Sequence, residues 1–279
     1  MMSNSSLSQI LFILWMMWAV FLFGGALMGK ADAERTRRMP RWTRMVSSLV
    51  LAVTAWGYVL VYREQMYAEA AVLIAIGMTL CFIGDLFMAE LIVRGDNHVL
   101  GGIGAFGLGH VAYIAAFLRL MAKGQLLFNW HPVNEPAVVL PEASVNGLVL
   151  LGCWLVAAVV WYVVVYRAAR ERSVLHFAAL PYGLLLATTV GMALNLTLYA
   201  WNVYSISNAS QAAFLNFGRA ALPALGAVLF FSSDFILAAR LFNQAYFRMI
   251  DDWIWLTYGP GQMLIVYGVG LLLSIVGSH

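Results

Sequence analysis

The sequence predicts an all-α membrane protein, a polytopic bundle of about eight transmembrane helices. Of its 279 residues, 63% are hydrophobic and only 10% are charged, whereas soluble domains average about 45–50% apolar and about 25% charged residues. The apolar runs are continuous and do not alternate with polar residues, which favours helices over a membrane β-barrel. Most basic residues lie between these runs. We therefore expect residues 1–279 to form a single integral membrane domain.

Eight windows of about 20 predominantly apolar residues have the length of a membrane-spanning helix. The predicted spans are residues 8–29, 44–62, 67–93, 98–121, 145–168, 174–200, 209–241 and 252–275. The first is too long for the core of a signal peptide and has no basic start, so we interpret it as a true span. Segment 128–142 contains three prolines and predicts a loop between spans four and five.

The distribution of basic residues predicts the orientation of the bundle. Twelve of the sixteen Lys and Arg residues fall in the odd-numbered loops, six of them between Lys30 and Arg44 in the first loop. By the positive-inside rule, the odd-numbered loops are cytoplasmic and both termini are not. We expect a bacterial inner membrane, since no organelle-sorting signal is visible. The first-loop cluster is primarily this orientation signal, and it also suits attraction to anionic lipid.

Two aspartates lie within apolar spans, where a charged side chain costs at least about 2.5–3.5 kcal/mol. Asp85 lies in span three, in MTLCFIGDLFMAEL, and Asp234 lies in span seven, in LGAVLFFSSDFILAARL. The two segments share glycine, leucine, phenylalanine, a small residue, aspartate and alanine at identical spacing, beginning at Gly77 and Gly226. Because both spans are odd-numbered, they run in the same direction, as in a four-plus-four parallel duplication.

The two acids are expected at similar depth. Asp85 precedes Arg94 by nine residues and Asp234 precedes Arg240 by six, which places the acids about 13 and 9 Å from the cytoplasmic ends. Two adjacent carboxylates in a low-dielectric environment can hardly both be ionised, so the pair would hold one proton. A protonated acid beside a carboxylate suits general acid–base catalysis. The alternative is that each aspartate only hydrogen-bonds a neighbouring helix, and the sequence does not say which acid holds the proton.

Further polar side chains within the spans are candidates for the same site: His110, Tyr113, Tyr182, Thr257, Tyr258 and Gln262. In span eight, Gly259-Pro260-Gly261 predicts a break in the helix, and Asp251 and Asp252 suit its N-terminus. The histidines show no paired spacing for haem or a metal, and phosphate-binding loops are absent. We therefore expect no metal, no cofactor and no nucleic-acid partner.

Taken in order, five segments carry a resemblance to a known family: GDLFMAE, GGIGAFGLGHVAYIAAF, PYGLLLATTVGMA, GAVLFFSSDFI and TYGPGQMLI. They are similar to motifs of the YhhN family of eight-span membrane proteins, to which the lysoplasmalogenases belong. The resemblance covers spans three to eight. The start of the chain departs from the family, which usually has a Lys-Pro step at span two where this chain reads WTRMVSSLV.

The resemblance implies hydrolysis of the vinyl ether bond of a lysoplasmalogen, a lysophospholipid, to a fatty aldehyde and glycerophospho-ethanolamine or -choline. Asp85 and Asp234 would be the acid–base pair, on the cytoplasmic half of the bundle, and the polar residues above would shape the site. Arg44, near the position of the family's lysine, would contact the phosphate. Two other readings stay open from the sequence: a proton-coupled carrier and a non-catalytic lipid-binding membrane protein.

Overall fold

The computed structural model describes residues 4–95, 97–124, 144–167, 173–206 and 211–274, so the predicted 128–142 loop lies outside the described residues. Within those ranges every regular element is helical. The helices are α1 (Asn4–Met28), α2 (Arg41–Tyr62), α3 (Ala68–Met88), α4 (Asn97–Ala122), α5 (Gly147–Val160, continued by a π-helical turn over Trp161–Tyr166), α6 (Val174–Ile206), α7 (Gln211–Asn243) and α8 (Ile250–Leu273).

Eight of the described helices are long and apolar enough to cross a membrane, which confirms the predicted fold class of a multi-pass helical bundle. The outer helices expose large apolar side chains to the surroundings of the bundle. In α1, Phe12 and Val20 are about three-fifths exposed, and in α5 Leu148 is 78% exposed. Large apolar side chains at such exposure suit contact with lipid tails and not with water. The protein is therefore an integral multi-pass membrane protein.

Helix α3 ends five residues earlier than the sequence predicts, at Met88 and not at residue 93. Glu90 adopts a left-handed conformation with φ of 56°, and the Leu91 amide donates to the Leu86 carbonyl oxygen at 2.9 Å. This bond closes the helix end as in a Schellman motif. The run Leu91–Val93 is therefore as apolar as the span before it but does not belong to the helix. Asp85 consequently lies on the last turn of α3.

Helix α8 is continuous, so the expectation that Gly259-Pro260-Gly261 breaks it is wrong. Its neighbours explain why. A Cβ at Gly259 would lie 2.8 Å from the Leu22 side chain of α1, and one at Gly261 would lie 2.9 Å from the Gly226 carbonyl oxygen of α7. The two glycines thus allow close packing on both sides, and packed neighbours make a proline-containing membrane helix tolerable.

The most extensive helix contacts are those of α3 with α4 and of α7 with α8, and both pairs cross at glycines. A Cβ at Gly77 would lie 3.0 Å from the Gly109 carbonyl oxygen, and a Cβ at Gly226 would lie 2.6 Å from that of Gly261. Gly77 and Gly226 are the equivalent glycines of the repeated segment. The same backbone crossing therefore recurs in both halves of the chain, which supports the four-plus-four arrangement.

The loop between α1 and α2, residues 29–40, is called here the basic loop. It is tied to the start of α8. The Asp252 carboxylate accepts hydrogen bonds from the Arg38 and Met39 amides, each at 2.9 Å, and the Asp251 amide donates to the Thr36 carbonyl oxygen at 3.0 Å. Asp251 and Asp252 do lie in the first turn of α8 as expected, and they also hold the basic loop in place.

Candidate active site

A polar cavity of about 310 Å³ lies at the end of the bundle where α2, α4 and α8 begin and α3 and α7 end. Both Asp85 and Asp234 line it, so the structure brings the two sequence-predicted acids to one space. The other charged and polar residues of its wall are Arg37, Arg41, Arg44, Glu90, His98, Ser233, Arg240, Asp251 and Tyr258. The cavity therefore joins a pair of carboxylates to a group of guanidinium groups.

Asp85 is 3% exposed and is held by two hydroxyl groups. The Tyr258 hydroxyl of α8 donates to Asp85 Oδ2 at 2.8 Å, and the Ser48 hydroxyl of α2 donates to the same oxygen. Both hydrogen bonds converge on one carboxylate oxygen, which fixes the orientation of the group. Hydroxyl donors stabilise the ionised form of a carboxyl group relative to the neutral one.

Asp234 has a different environment. The Tyr182 hydroxyl of α6 donates to Asp234 Oδ2. The Ser233 hydroxyl lies 3.3 Å from Asp234 Oδ1, but its closer acceptor is the Phe230 carbonyl oxygen at 2.7 Å. A serine hydroxyl carries a single proton, so the carbonyl takes it. Asp234 therefore has one firm hydroxyl donor where Asp85 has two.

A second, apolar cavity of about 90 Å³ adjoins the polar one. It lies between α4, α5, α6 and α7, and the π-helical turn of α5 contributes Trp161 and Val165 to its wall. The residues that line both cavities are Met88, Phe106, Asp234, Leu237 and Leu241. Asp234 is the only carboxyl group in the described lining of the apolar cavity, and because it also lines the polar cavity it lies at the junction of the two.

Arg44, which the sequence analysis predicts as a substrate contact, lines the polar cavity. Its guanidinium carbon is 5.3 Å from the centre of the Trp255 ring, a cation–π distance. Its Nε is buried and has no hydrogen-bond acceptor within the described chain. The stacking holds the guanidinium group in place while one of its donors remains available.

Three predicted residues, His110, Tyr113 and Gln262, are not in the described linings of either cavity and form a buried layer in the core. The Tyr113 hydroxyl donates to Gln262 Oε1 at 2.7 Å, and His110 Nδ1 lies 2.9 Å from the Thr189 hydroxyl. All are almost fully buried. They can support the helices that carry the acids, but the structure does not place them against the cavities.

Thr257 is also absent from the described cavity walls. Its hydroxyl donates within its own helix, to the Trp253 carbonyl oxygen at 2.8 Å, and the Ile254 carbonyl oxygen lies 3.0 Å away. Tyr182 and Tyr258, by contrast, each bind one of the acids directly. Of the polar residues predicted around the acid pair, these two tyrosines and Arg44 are therefore the ones that reach the site.

Two residues that directly contact Asp85 or Arg44 could not be predicted as site residues from their type, Ser48 and Trp255. A serine within an apolar helix and a tryptophan near a membrane surface are both common, and neither is distinctive alone. One signal was available for Ser48, because it follows Arg44 by four residues and residues four apart share a helix face. An arginine and a serine on one face of α2 indicate a polar stripe toward the interior.

Among the described residues, no group of three or more His, Cys, Asp or Glu side chains is placed to hold a metal ion. Comparison with curated proteins and with solved structures gave no match. The sequence does match the family model of the YhhN family, over residues 39–269. Since the match covers most of the chain and includes both acids, the chain belongs to the YhhN family.

Proposed function

We propose that the protein is a membrane lipid hydrolase of the lysoplasmalogenase type, which cleaves the vinyl ether bond of a lysoplasmalogen. The observation that carries this proposal is the placement of Asp85 and Asp234 on one polar cavity, with Asp234 also on the adjoining apolar cavity. Membership of the YhhN family, to which the lysoplasmalogenases belong, supports it.

The two cavities suit an amphiphile with one chain. Its polar head would lie among the guanidinium groups of the polar cavity, with Arg44 as a phosphate contact, and part of its chain would lie in the apolar cavity. In a lysoplasmalogen, the vinyl ether is the link between head and chain. Bound in this way, the bond to be cleaved would lie at the junction, beside Asp234.

The different surroundings of the acids favour different roles. Asp85 receives two hydroxyl donors, which favours a carboxylate. Asp234 has one firm donor and borders the apolar cavity, which favours the neutral acid. We assign Asp234 as the proton donor and Asp85 as the carboxylate.

The reaction would begin with transfer of the Asp234 proton to the alkene carbon farther from the ether oxygen. The resulting oxocarbenium ion is stabilised by the negative charge of the pair. Water, deprotonated by a carboxylate, adds to the carbon next to oxygen, and the hemiacetal collapses to a fatty aldehyde and the glycerol hydroxyl of the head. One water molecule is consumed and the acid is restored.

The orientation is part of the same proposal. The basic loop and the polar cavity lie at the same end of the bundle. If the positive-inside rule holds for this chain, that end faces the cytoplasm. In a bacterial inner membrane, the water-soluble product would then leave into the cytoplasm while the aldehyde enters the lipid.

The test uses the purified full chain in detergent with three lysophospholipids that differ only in the link to the chain: vinyl ether, alkyl ether and ester. We expect aldehyde release from the vinyl ether alone, because only an alkene that carries an ether oxygen gives an oxocarbenium ion when its carbon farther from that oxygen is protonated. Free aldehyde is measured by its reaction with a hydrazine reagent.

Absence of aldehyde from the wild-type protein, at a lipid concentration at which binding is detected, would contradict the proposal. If the same preparation in liposomes then took up a solute in response to a proton gradient, the acids would serve a carrier and not a hydrolase.

A further inference from the structure

We infer that Arg37, Arg41 and Arg44 form one phosphate-binding subsite at the polar end of the cavity. This inference rests on the proposed function for its ligand, the phosphate of a lysophospholipid headgroup, and it adds Arg37 and Arg41, which neither the repeat nor the motifs indicate. The observations that carry it are an unpartnered buried donor, a set of unpaired cations, and a loop fixed in position around them.

The unpartnered donor is Nε of Arg44, which is buried without an acceptor in the described chain. Buried donors are nearly always hydrogen-bonded, and a guanidinium group has five N–H donors and no acceptor. Trp255 already covers one face of the group, so its donors remain at its edge. A planar fork of donors matches the oxygens of a phosphate.

The surrounding charges favour an anion. Four arginines line the polar cavity, and one of them, Arg240, forms an ion pair with Asp251. The other three have no ion pair within the part of the chain that the structure describes. If the aspartate pair holds one proton, three unpaired guanidinium groups exceed the negative charge left in the cavity wall.

The basic loop fixes Arg37 at the cavity. The Met249 amide donates to the Arg35 carbonyl oxygen at 2.9 Å, and Asp252 binds the amides of the two residues after Arg37. Hydrogen bonds of backbone groups therefore hold the chain on both sides of Arg37, so that the loop needs little further ordering when a ligand binds. Such preorganisation increases affinity because less conformational entropy is lost.

Arg37 is a feature of this chain beyond the shared family region. The family match begins at residue 39, so Arg41 and Arg44 lie inside it and Arg37 lies outside it. A substitution of Arg37 therefore changes the cavity wall outside the region matched by the family, whereas both acids lie inside that region.

The test measures binding of two non-cleavable lipids with the same acyl chain to the full chain in detergent: an ester lysophosphatidylethanolamine and a monoacylglycerol, which lacks phosphate. The variants are Arg44→Gln and Arg37→Gln, and Arg35→Gln is the matched control, since Arg35 is in the same loop but does not line the cavity. We expect Arg44→Gln to weaken lysophospholipid binding by at least about tenfold, or about 1.4 kcal/mol, with monoacylglycerol binding unchanged.

We expect a smaller loss for Arg37→Gln and none for Arg35→Gln. Competition by inorganic phosphate would show that the subsite also takes free phosphate, and competition only by lysophospholipid would show that it takes the headgroup as part of a lipid; both results support the subsite. If Arg44→Gln lost monoacylglycerol binding through misfolding, Arg37→Gln alone would decide. Unchanged preference for the phospholipid in Arg37→Gln and Arg44→Gln would overturn the inference.

The inference and the proposed function fail separately. If the protein cleaves no vinyl ether but the arginine variants bind the lysophospholipid more weakly than the wild type, the subsite is supported and the proposed reaction is contradicted. If the protein releases aldehyde but both arginine variants keep the wild-type preference for the lysophospholipid, the reaction is supported and the subsite is contradicted.

Discussion

Helices α3 and α4 cross at Gly77 and Gly109, and helices α7 and α8 cross at Gly226 and Gly261 in the same way. In each pair the first helix carries an aspartate eight residues after its crossing glycine. The two halves thus present their acids on the same scaffold. The residues that surround the acids, however, differ between the halves.

Three residues before the crossing glycine, α8 has Tyr258 and α4 has Phe106. Tyr258 donates to Asp85 in the other half of the chain, whereas the Phe106 ring packs against Gly84 and lines both cavities. At this position of the crossing, a hydroxyl group thus binds Asp85, whereas Phe106 has no hydroxyl group to offer Asp234 and instead lines both cavities with it. A duplicated helix crossing can thus supply two similar carboxyl groups, and a few substitutions around them can give them different chemistry.

The largest effect is expected from removing either acid. Asp85→Asn and Asp234→Asn should each lower the rate of aldehyde release by about 10²–10⁴-fold, the usual contribution of a general acid or base. Glu90→Gln is the matched control, because Glu90 also lines the polar cavity but is exposed. Its rate should equal that of the wild type, and a comparable loss there would show that net charge and not the acid pair is responsible.

The next effect concerns the shared crossing. Gly226→Ala should destabilise the bundle by about 1–3 kcal/mol, because its Cβ would lie 2.6 Å from the Gly261 carbonyl oxygen. Gly104→Ala, on the open side of α4 with nothing within 4 Å of its Cβ, should be neutral or slightly stabilising. Thermal unfolding in detergent measures both variants, and equal midpoints would contradict the close crossing.

A smaller effect is expected from the hydroxyl donors that distinguish the acids. Tyr258→Phe should lower aldehyde release by about tenfold, since a hydrogen bond to a charged group contributes about 1.5–3 kcal/mol. Tyr182→Phe should lower it less, because its partner Asp234 is assigned as the neutral acid. Tyr162→Phe, on an exposed ring of α5, serves as the control. Wild-type rates in both tyrosine variants would show that these hydroxyl groups do not tune the acids.

The smallest effect is that of pH on the basic loop. Desolvation alone would raise the pKa of Asp32, but the hydroxyl and amide of Thr36 and the amide of Arg37 donate to its carboxylate, and its pKa is held below the usual value. A lowered pKa in the folded state stabilises the protein above the unfolded pKa of about 3.9, and this contribution is lost as pH falls through the folded pKa.

Asp32→Asn should therefore lower the unfolding midpoint slightly at pH 7, and the difference from the wild type should be smaller at pH 3. Thermal scans at the two pH values test this. A difference that grows on acidification would contradict the assigned direction.

Much of the fold could be predicted because membrane helices are specified by local composition. All eight spans appear in the structure within about six residues of their expected ends. The end of α3 was missed because Leu91–Val93 is as apolar as the helix before it, and only the left-handed Glu90 ends the helix. The predicted break in α8 was wrong because packing against α1 and α7 outweighs the local preference of a Gly-Pro-Gly step.

The acid pair could be predicted because a repeated spacing and the cost of a charge in lipid both single out Asp85 and Asp234. The partners of these acids were harder to predict. Ser48 and Trp255 take their roles from contacts between different helices, and apart from the spacing of Arg44 and Ser48 nothing in their own neighbourhoods along the chain indicates those contacts. For the same reason Thr257, which follows the polar pattern of α8, bonds within its helix instead of reaching the cavity.

The central claim is that Asp85 and Asp234 act together in one catalytic step, and the most direct test is aldehyde release by the Asp85→Asn/Asp234→Asn double variant. Residues that act as a unit show strongly non-additive losses. The account predicts that the double variant is about as slow as the slower single variant. Losses that multiply, or full activity in either single variant, would contradict it.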